Sequence, residues 1–125
     1  MRFMRTLARA VVAAAILALN TAMPRAEVAI AVGKCDRYGY TYGYGAMGAA
    51  RAAALRNCAA NGDSSCQVVV SLSGACGAFA VSGKCGARGW AFAPTRARAE
   101  DLALSYCERY GGQGCTVRMW VCDGG

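Results

Sequence analysis

From Tyr38 to Tyr44 every second residue is aromatic, with Gly39, Thr41 and Gly43 between them. A period of two is the period of a strand, whose side chains point alternately to opposite faces. At an offset of 50 the pattern returns, with Trp90 and Phe92 opposite Gly89, Ala91 and Ala93. Each alternating segment follows a short apolar run, Ala29-Ile30-Ala31-Val32 in one place and Ala78-Phe79-Ala80-Val81 in the other. Each is succeeded by an Ala-rich stretch of helical spacing, roughly 46–59 and 95–110. In the second stretch Ala99, Leu102, Ala103, Tyr106, Cys107 and Tyr110 share a face that excludes Arg96, Arg98, Glu100, Asp101, Glu108 and Arg109. Thr95 supplies an N-cap after Pro94, and Gly62 and Gly111 let each helix end and the chain turn back. A third strand closes each unit, over 67–72 and 116–121.

The chain is therefore a tandem duplication with halves of about 28–75 and 77–122. The expected fold is a single α+β domain over 27–125, built of two pseudo-symmetric β-β-α-β repeats. Its sheet is expected to be antiparallel or mixed, with two helices on one face. In the third strands Val68, Val70 and Leu72 match Val117, Met119 and Val121, which predicts one buried apolar face in both copies. The opposite face holds Val69 and Ser71 in one copy and Arg118 and Trp120 in the other. A shared inner face beside a divergent outer one points to specialisation at Arg118 and Trp120.

The cysteines carry the same repeat. Cys35, Cys58 and Cys66 are spaced by 23 and 8 residues, and Cys85, Cys107 and Cys115 by 22 and 8. Cys58 and Cys107 end the helices while Cys66 and Cys115 open the next strands, so the expected local staples are Cys58 with Cys66 and Cys107 with Cys115. Cys35 and Cys85 hold equivalent positions, and a Cys35–Cys85 bond would join the halves near a pseudo-twofold axis. Cys76 and Cys122 have no counterpart and are left to each other. This connectivity is an expectation, which linkage of Cys35 to Cys58 would overturn.

Targeting changes the charge picture. Arg2, Arg5 and Arg9 precede an uncharged apolar stretch from Ala10 to Leu19, and 20–26 is more polar, which is the layout of a Sec-type signal peptide over 1–26. The stretch falls short of the roughly 20 apolar residues of a membrane span. Cleavage is placed after Ala26, with Ala22 as the fallback. Of the 14 Lys and Arg in the sequence, Arg2, Arg5, Arg9 and Arg25 lie in that segment, so 10 remain against 7 acids and the net charge falls from +7 to +3. The remaining basic residues are scattered among acids and do not form a nucleic-acid footprint. With the segment removed no transmembrane span is expected, and all eight cysteines lie in the remaining 99 residues. Four disulfides in a small domain then imply export to an oxidising compartment, periplasmic or secreted.

A short apolar strand, a Gly/aromatic strand, an Ala-rich helix ending in Cys, a glycine turn and a Cys-led Val-rich strand, then Cys76-Gly77-Ala78 and a closing Val121-Cys122, together resemble the bacterial family called domain of unknown function 4189. The likeness covers about 28–122. It implies Cys58, Cys66, Cys76, Cys107, Cys115 and Cys122 as the usual cysteine set, with Cys35 and Cys85 as an addition. It also implies a small exported protein with relatives among secreted mycobacterial proteins proposed to act on hosts, and it brings no catalytic residues.

Candidate chemistry is sparse. There is no histidine, so neither a Ser-His-Asp nor a Cys-His arrangement is available. A zinc site would need widely separated thiolates, since no CxxC pair exists, and no metal or cofactor is expected. Glu100, Asp101 and Glu108 are the carboxylates open to glycoside chemistry, but they share a polar helix side with Arg96, Arg98 and Arg109, as a solvated face does. No glycine run has phosphate-binding spacing. The aromatic stripe is the stronger candidate. If the small side of each alternating strand packs on a helix, then Tyr40, Tyr42, Trp90 and Phe92 face away and form a platform with Trp120 and Arg118, suited to a sugar ring, a peptide or a protein. The competing role for these rings is core filling. The expected function is a non-enzymatic exported interaction module for a protein or cell-envelope component. The alternatives are an inhibitor or toxin-like effector aimed at another cell's enzyme, and an envelope hydrolase.

Overall fold

The computed structural model describes residues 27–60 and 64–124, so the segment read as a signal peptide and the turn glycine Gly62 lie outside the described residues. The first half contributes β1 (Glu27–Val32), β2 (Tyr38–Tyr44), α1 (Met47–Ala59) and β3 (Gln67–Ser73). The second contributes β4 (Cys76–Val81), β5 (Arg88–Ala93), α2 (Arg96–Arg109) and β6 (Thr116–Cys122). The protein is an α+β fold in which the β-β-α-β pattern occurs twice.

The strands divide between two antiparallel sheets of three, ordered β2-β1-β3 and β5-β4-β6. The physical reason is in the alternation of β1 and β4. Val28, Ile30 and Val32 turn inward to meet Phe79 and Val81, and Val70, Met119 and Val121 complete that core. Ala29 and Ala31 face the other way onto Ala50, Ala54 and Cys58 of α1. Likewise Ala78, Ala80, Ala91 and Ala93 meet Ala99, Ala103 and Cys107 of α2. Four layers result, helix, sheet, sheet, helix, with branched and aromatic side chains between the sheets and alanines under the helices. The helices thus cover the outer faces of two different sheets, which corrects the expected placement of both on one face. A strand that is the middle one of its sheet must be apolar on both faces when both are covered.

The halves are related by a pseudo-twofold axis: β1 meets β4, β2 meets β6 and β3 meets β5, a set that maps onto itself when the halves exchange. Small residues bring each helix close to its sheet. A Cβ on Gly39 would lie 2.3 Å from the Cys58 amide nitrogen and 2.4 Å from the Ala54 carbonyl oxygen. A Cβ on Gly89 would lie 2.2 Å from the Ala103 carbonyl oxygen and 2.4 Å from the Cys107 nitrogen. Thr41, buried on the same side as Gly39, donates its hydroxyl to the Ala50 carbonyl at 2.8 Å. Thr95 caps α2 by accepting from the Arg98 amide, whereas Ala46 at the start of α1 offers no side-chain cap.

A β-bulge in each copy alters the inner face. Ile30 pairs with Val70 and Ala31 with Val68, leaving Val69 as the extra residue. Phe79 pairs with Met119 and Ala80 with Val117, leaving Arg118 extra. The register therefore reverses at each bulge. Val68 packs on the α1 side with Ala29 and Ala31, and so does not share the face of Val70 and Leu72 as simple alternation had it.

Four disulfides bind this framework: Cys58–Cys66 and Cys107–Cys115 tie each helix to the strand after it, Cys76–Cys122 ties β4 to β6, and Cys35–Cys85 joins the two β-hairpin loops. No cysteine is free. Such bonds fit an extracellular or periplasmic setting. Among the described residues no helix is long and apolar enough to cross a membrane.

Candidate functional site

A groove of 420 Å³ runs beside β5, where the second sheet meets β3 and α2. Gly89, Trp90, Ala91 and Phe92, four consecutive residues, line it. Consecutive residues of a strand point to opposite faces, so a cavity touching all four follows the strand's edge. One wall is Val69 and Val70 of β3, and the other is Leu102, Tyr106 and Tyr110 of α2 and its C-terminal turn. The bulge that leaves Val69 unpaired places two successive valines on that wall. Phe92, Tyr106 and Tyr110 are 62%, 38% and 74% exposed, so the groove presents unburied aromatic surface to solvent. The Arg109 guanidinium stands 5.5 Å from the Tyr106 ring centroid and covers it partly.

The pseudo-twofold axis supplies a comparison within the molecule. A second hollow, 360 Å³, is lined by Tyr38, Gly39, Tyr40 and Asn57. Gly39 and Tyr40 correspond to Gly89 and Trp90, and Asn57 to Tyr106. In this copy the Asn57 side-chain amide donates to the Tyr40 carbonyl at 3.1 Å. Tyr38 stacks on Tyr40 with centroids 6.4 Å apart and reaches the core at Phe79. The first copy thus has a polar cap on its edge carbonyl and an anchored ring where the second has the Tyr106 ring.

The residues expected to make one platform are dispersed. Tyr40 and Tyr42 are exposed on the first sheet and Phe92 on the second, whereas Trp90 is half-buried and packs against the core between the sheets. Arg118, turned aside by its bulge, binds the Asp36 carboxylate at 2.6 Å, linking β6 to the β1–β2 loop. Trp120 pairs with Ala78 and packs toward α2, with the Arg96 guanidinium 3.9 Å from its ring centroid. Arg118 and Trp120 therefore do not share a surface with the groove aromatics: Arg118 is held by Asp36 at its bulge, and Trp120 lies on the α2 side of β6, the edge strand opposite β5. The same Arg96 pairs with Glu100 at 2.6 Å, an i, i+4 contact on the exposed face of α2.

A family model described as Domain of unknown function (DUF4189) matches residues 28–122. The chain belongs to that family. No curated protein and no solved structure matches it. This DUF4189 domain thus spans both halves and all four disulfides, and the groove lies wholly within it.

Sequence reasoning missed the two walls of the groove in this DUF4189 chain. Helical spacing groups Leu102, Tyr106 and Tyr110 on one face with Ala99, Ala103 and Cys107, yet Tyr106 and Tyr110 are exposed. Ala99, Ala103 and Cys107 make the buried helix–sheet contact with Leu102 packed beside them, and Tyr106 and Tyr110 overhang the strand edge. The signal that identifies them is the one used for the third strands, a difference between copies: Tyr106 aligns with Asn57 and Tyr110 with Asn61. Aromatic in one half and polar in the other, these positions have diverged while Gly39 and Gly89 have not.

Proposed function

We propose that this domain is a non-enzymatic, exported interaction module that takes a protein or cell-envelope component into the groove beside β5. The observation that carries the reading is the difference between two otherwise equivalent hollows, one with its edge carbonyl capped by Asn57 and one walled instead by exposed Tyr106 and Tyr110. A contiguous exposed aromatic patch favours association with other molecules and marks surface that a partner covers. A non-enzymatic role is supported by the chemistry of the chain: it has no histidine, its eight cysteines are in disulfides, and Glu100 is held by Arg96 away from the groove. Export is supported by the disulfides and by the N-terminal charge and hydropathy pattern.

The test is capture from an envelope extract by the oxidised protein, run beside Phe92→Ala and Tyr110→Ala. Both side chains are exposed, so folding is expected to survive, as circular dichroism would check. A stoichiometric partner held by the parent protein and lost from both variants is the expected result. Equal retention by all three proteins would remove the groove from the reading.

A further inference from the structure

β5 is an edge strand, and its hydrogen-bonding pattern shows what its edge offers. The Ser82 amide donates to the Ala87 carbonyl at 2.9 Å, and this pair lies in the same antiparallel register as Ala80 with Gly89 and Ala78 with Ala91. Hydrogen-bonded pairs recur at every second residue of an antiparallel ladder. Gly89, Ala91 and Ala93 therefore bond to β4, and Trp90 and Phe92 turn their N–H and C=O groups outward, into the groove. The first half obeys the same rule. There the Gly33 amide donates to the Arg37 carbonyl at 2.9 Å, which makes Tyr40 an outward residue, and its carbonyl is the one Asn57 caps. At the equivalent place in α2, Tyr106 offers a ring in place of an amide.

We propose that the groove binds an extended peptide segment that adds to the second sheet as a fourth strand, pairing with Trp90 and Phe92. This rests on the interaction-module reading and specifies its ligand. Three features select a peptide strand. The groove follows the edge for four residues, about 13 Å of strand at 3.3 Å per residue. The outward amides and carbonyls at Trp90 and Phe92 complement a backbone and carry no sequence preference of their own. The flanking walls, Val69 and Val70 on one side and Leu102, Tyr106 and Tyr110 on the other, receive alternate side chains of the guest, which are therefore apolar. The first sheet is protected from the same event, because Asn57 occupies the carbonyl a guest would need; capping an exposed edge is a common defence against unwanted pairing.

The experiment starts from a displayed library of random heptapeptides panned against the full chain, expressed with its N-terminal segment and recovered oxidised after export. Enrichment of alternately apolar, proline-free sequences is expected. The best of these is then synthesised with and without N-methyl groups on alternate amides. Methylation in one of the two phases is expected to weaken binding by about tenfold or more, because it removes the pairing donors. Bound peptide should also slow hydrogen exchange at the Trp90 and Phe92 amides. Tyr106→Asn, which rebuilds in the second half the cap already present in the first, is expected to weaken binding by a similar factor. Should that variant fold poorly, the methylation series on the parent protein decides alone. No enrichment, equal binding of both methylated phases and the parent peptide, or protection of amides elsewhere would overturn strand addition. If extract capture still depends on Phe92 and Tyr110 in those cases, the interaction-module reading stands without it; if capture fails too, both fall.

Discussion

Replacing Gly89 by alanine tests the helix–sheet contact on which the groove's geometry depends. The added Cβ would sit 2.2 Å from the Ala103 carbonyl oxygen, 2.4 Å from the Cys107 nitrogen and 3.0 Å from the Tyr106 carbonyl carbon. Ordinary contact for such a carbon begins near 3.4 Å, so α2 must move off the sheet by roughly 1 Å. All three obstacles are backbone atoms, and no rotamer change relieves them. The lift also opens the Ala78, Ala80, Ala99 and Ala103 packing beneath the helix. Overpacking of a filled core costs about 1–3 kcal/mol, and a clash with helix backbone belongs at the upper end. At about 4–8 °C per kcal/mol for a domain of this size, a loss of about 3 kcal/mol lowers Tm by roughly 12–24 °C. The assay is thermal unfolding of the oxidised protein by far-UV circular dichroism, with Gly45→Ala as control, since a Cβ there meets nothing within 4 Å. A Gly89→Ala protein whose Tm stays within a few degrees of the parent would refute the close approach of α2. Gly39→Ala, facing 2.3 Å and 2.4 Å contacts in α1, should behave alike.

The remaining predictions concern the framework. Removing Cys107–Cys115 by double alanine substitution should lower the unfolding free energy by about 2.5 kcal/mol for its separation of 8 residues, and removing Cys35–Cys85 by about 4 kcal/mol for its separation of 50, measured by urea titration. Gly48→Ala should raise stability by about 0.4–1 kcal/mol, because Gly48 lies within α1 with open space around its Cα, and a lower Tm would contradict that placement. A double-mutant cycle on Arg118 and Asp36 should give a coupling of about 0.2–1 kcal/mol that shrinks in high salt; Arg118 is half exposed, and a larger coupling would mean the pair is shielded from solvent.

Much of the fold is legible in the chain because its signals are local or repeated. The two-residue period over Tyr38–Tyr44 and Arg88–Ala93 marks strands whatever they pack against, and Thr95 marks the start of α2. The glycines opposite the aromatics mark the side on which a helix would come close, and Gly39 and Gly89 lie there. The groove was not legible, for two reasons. Alternation assumes an unbroken ladder, and the bulges at Val69 and Arg118 each shift the register by one residue, bringing Val69 onto the groove wall and sending Arg118 to Asp36. Helical periodicity gives the direction of a side chain but not how far the neighbouring sheet extends, so Tyr106 and Tyr110 read as core although they overhang an edge.

By itself, then, the sequence determined the duplication, the order of the elements, the staples' spacing and the alanine side of each helix, because these depend on neighbours a few residues away or on comparing one copy with the other. Tertiary structure alone decided that the strands form two sheets, that the helices cover their outer faces, and that one of two equivalent edges is capped while the other opens onto a groove. Those outcomes depend on how apolar faces from distant segments bury one another. A single amide, Asn57 reaching Tyr40, marks the difference between the two edges only once the chain has folded.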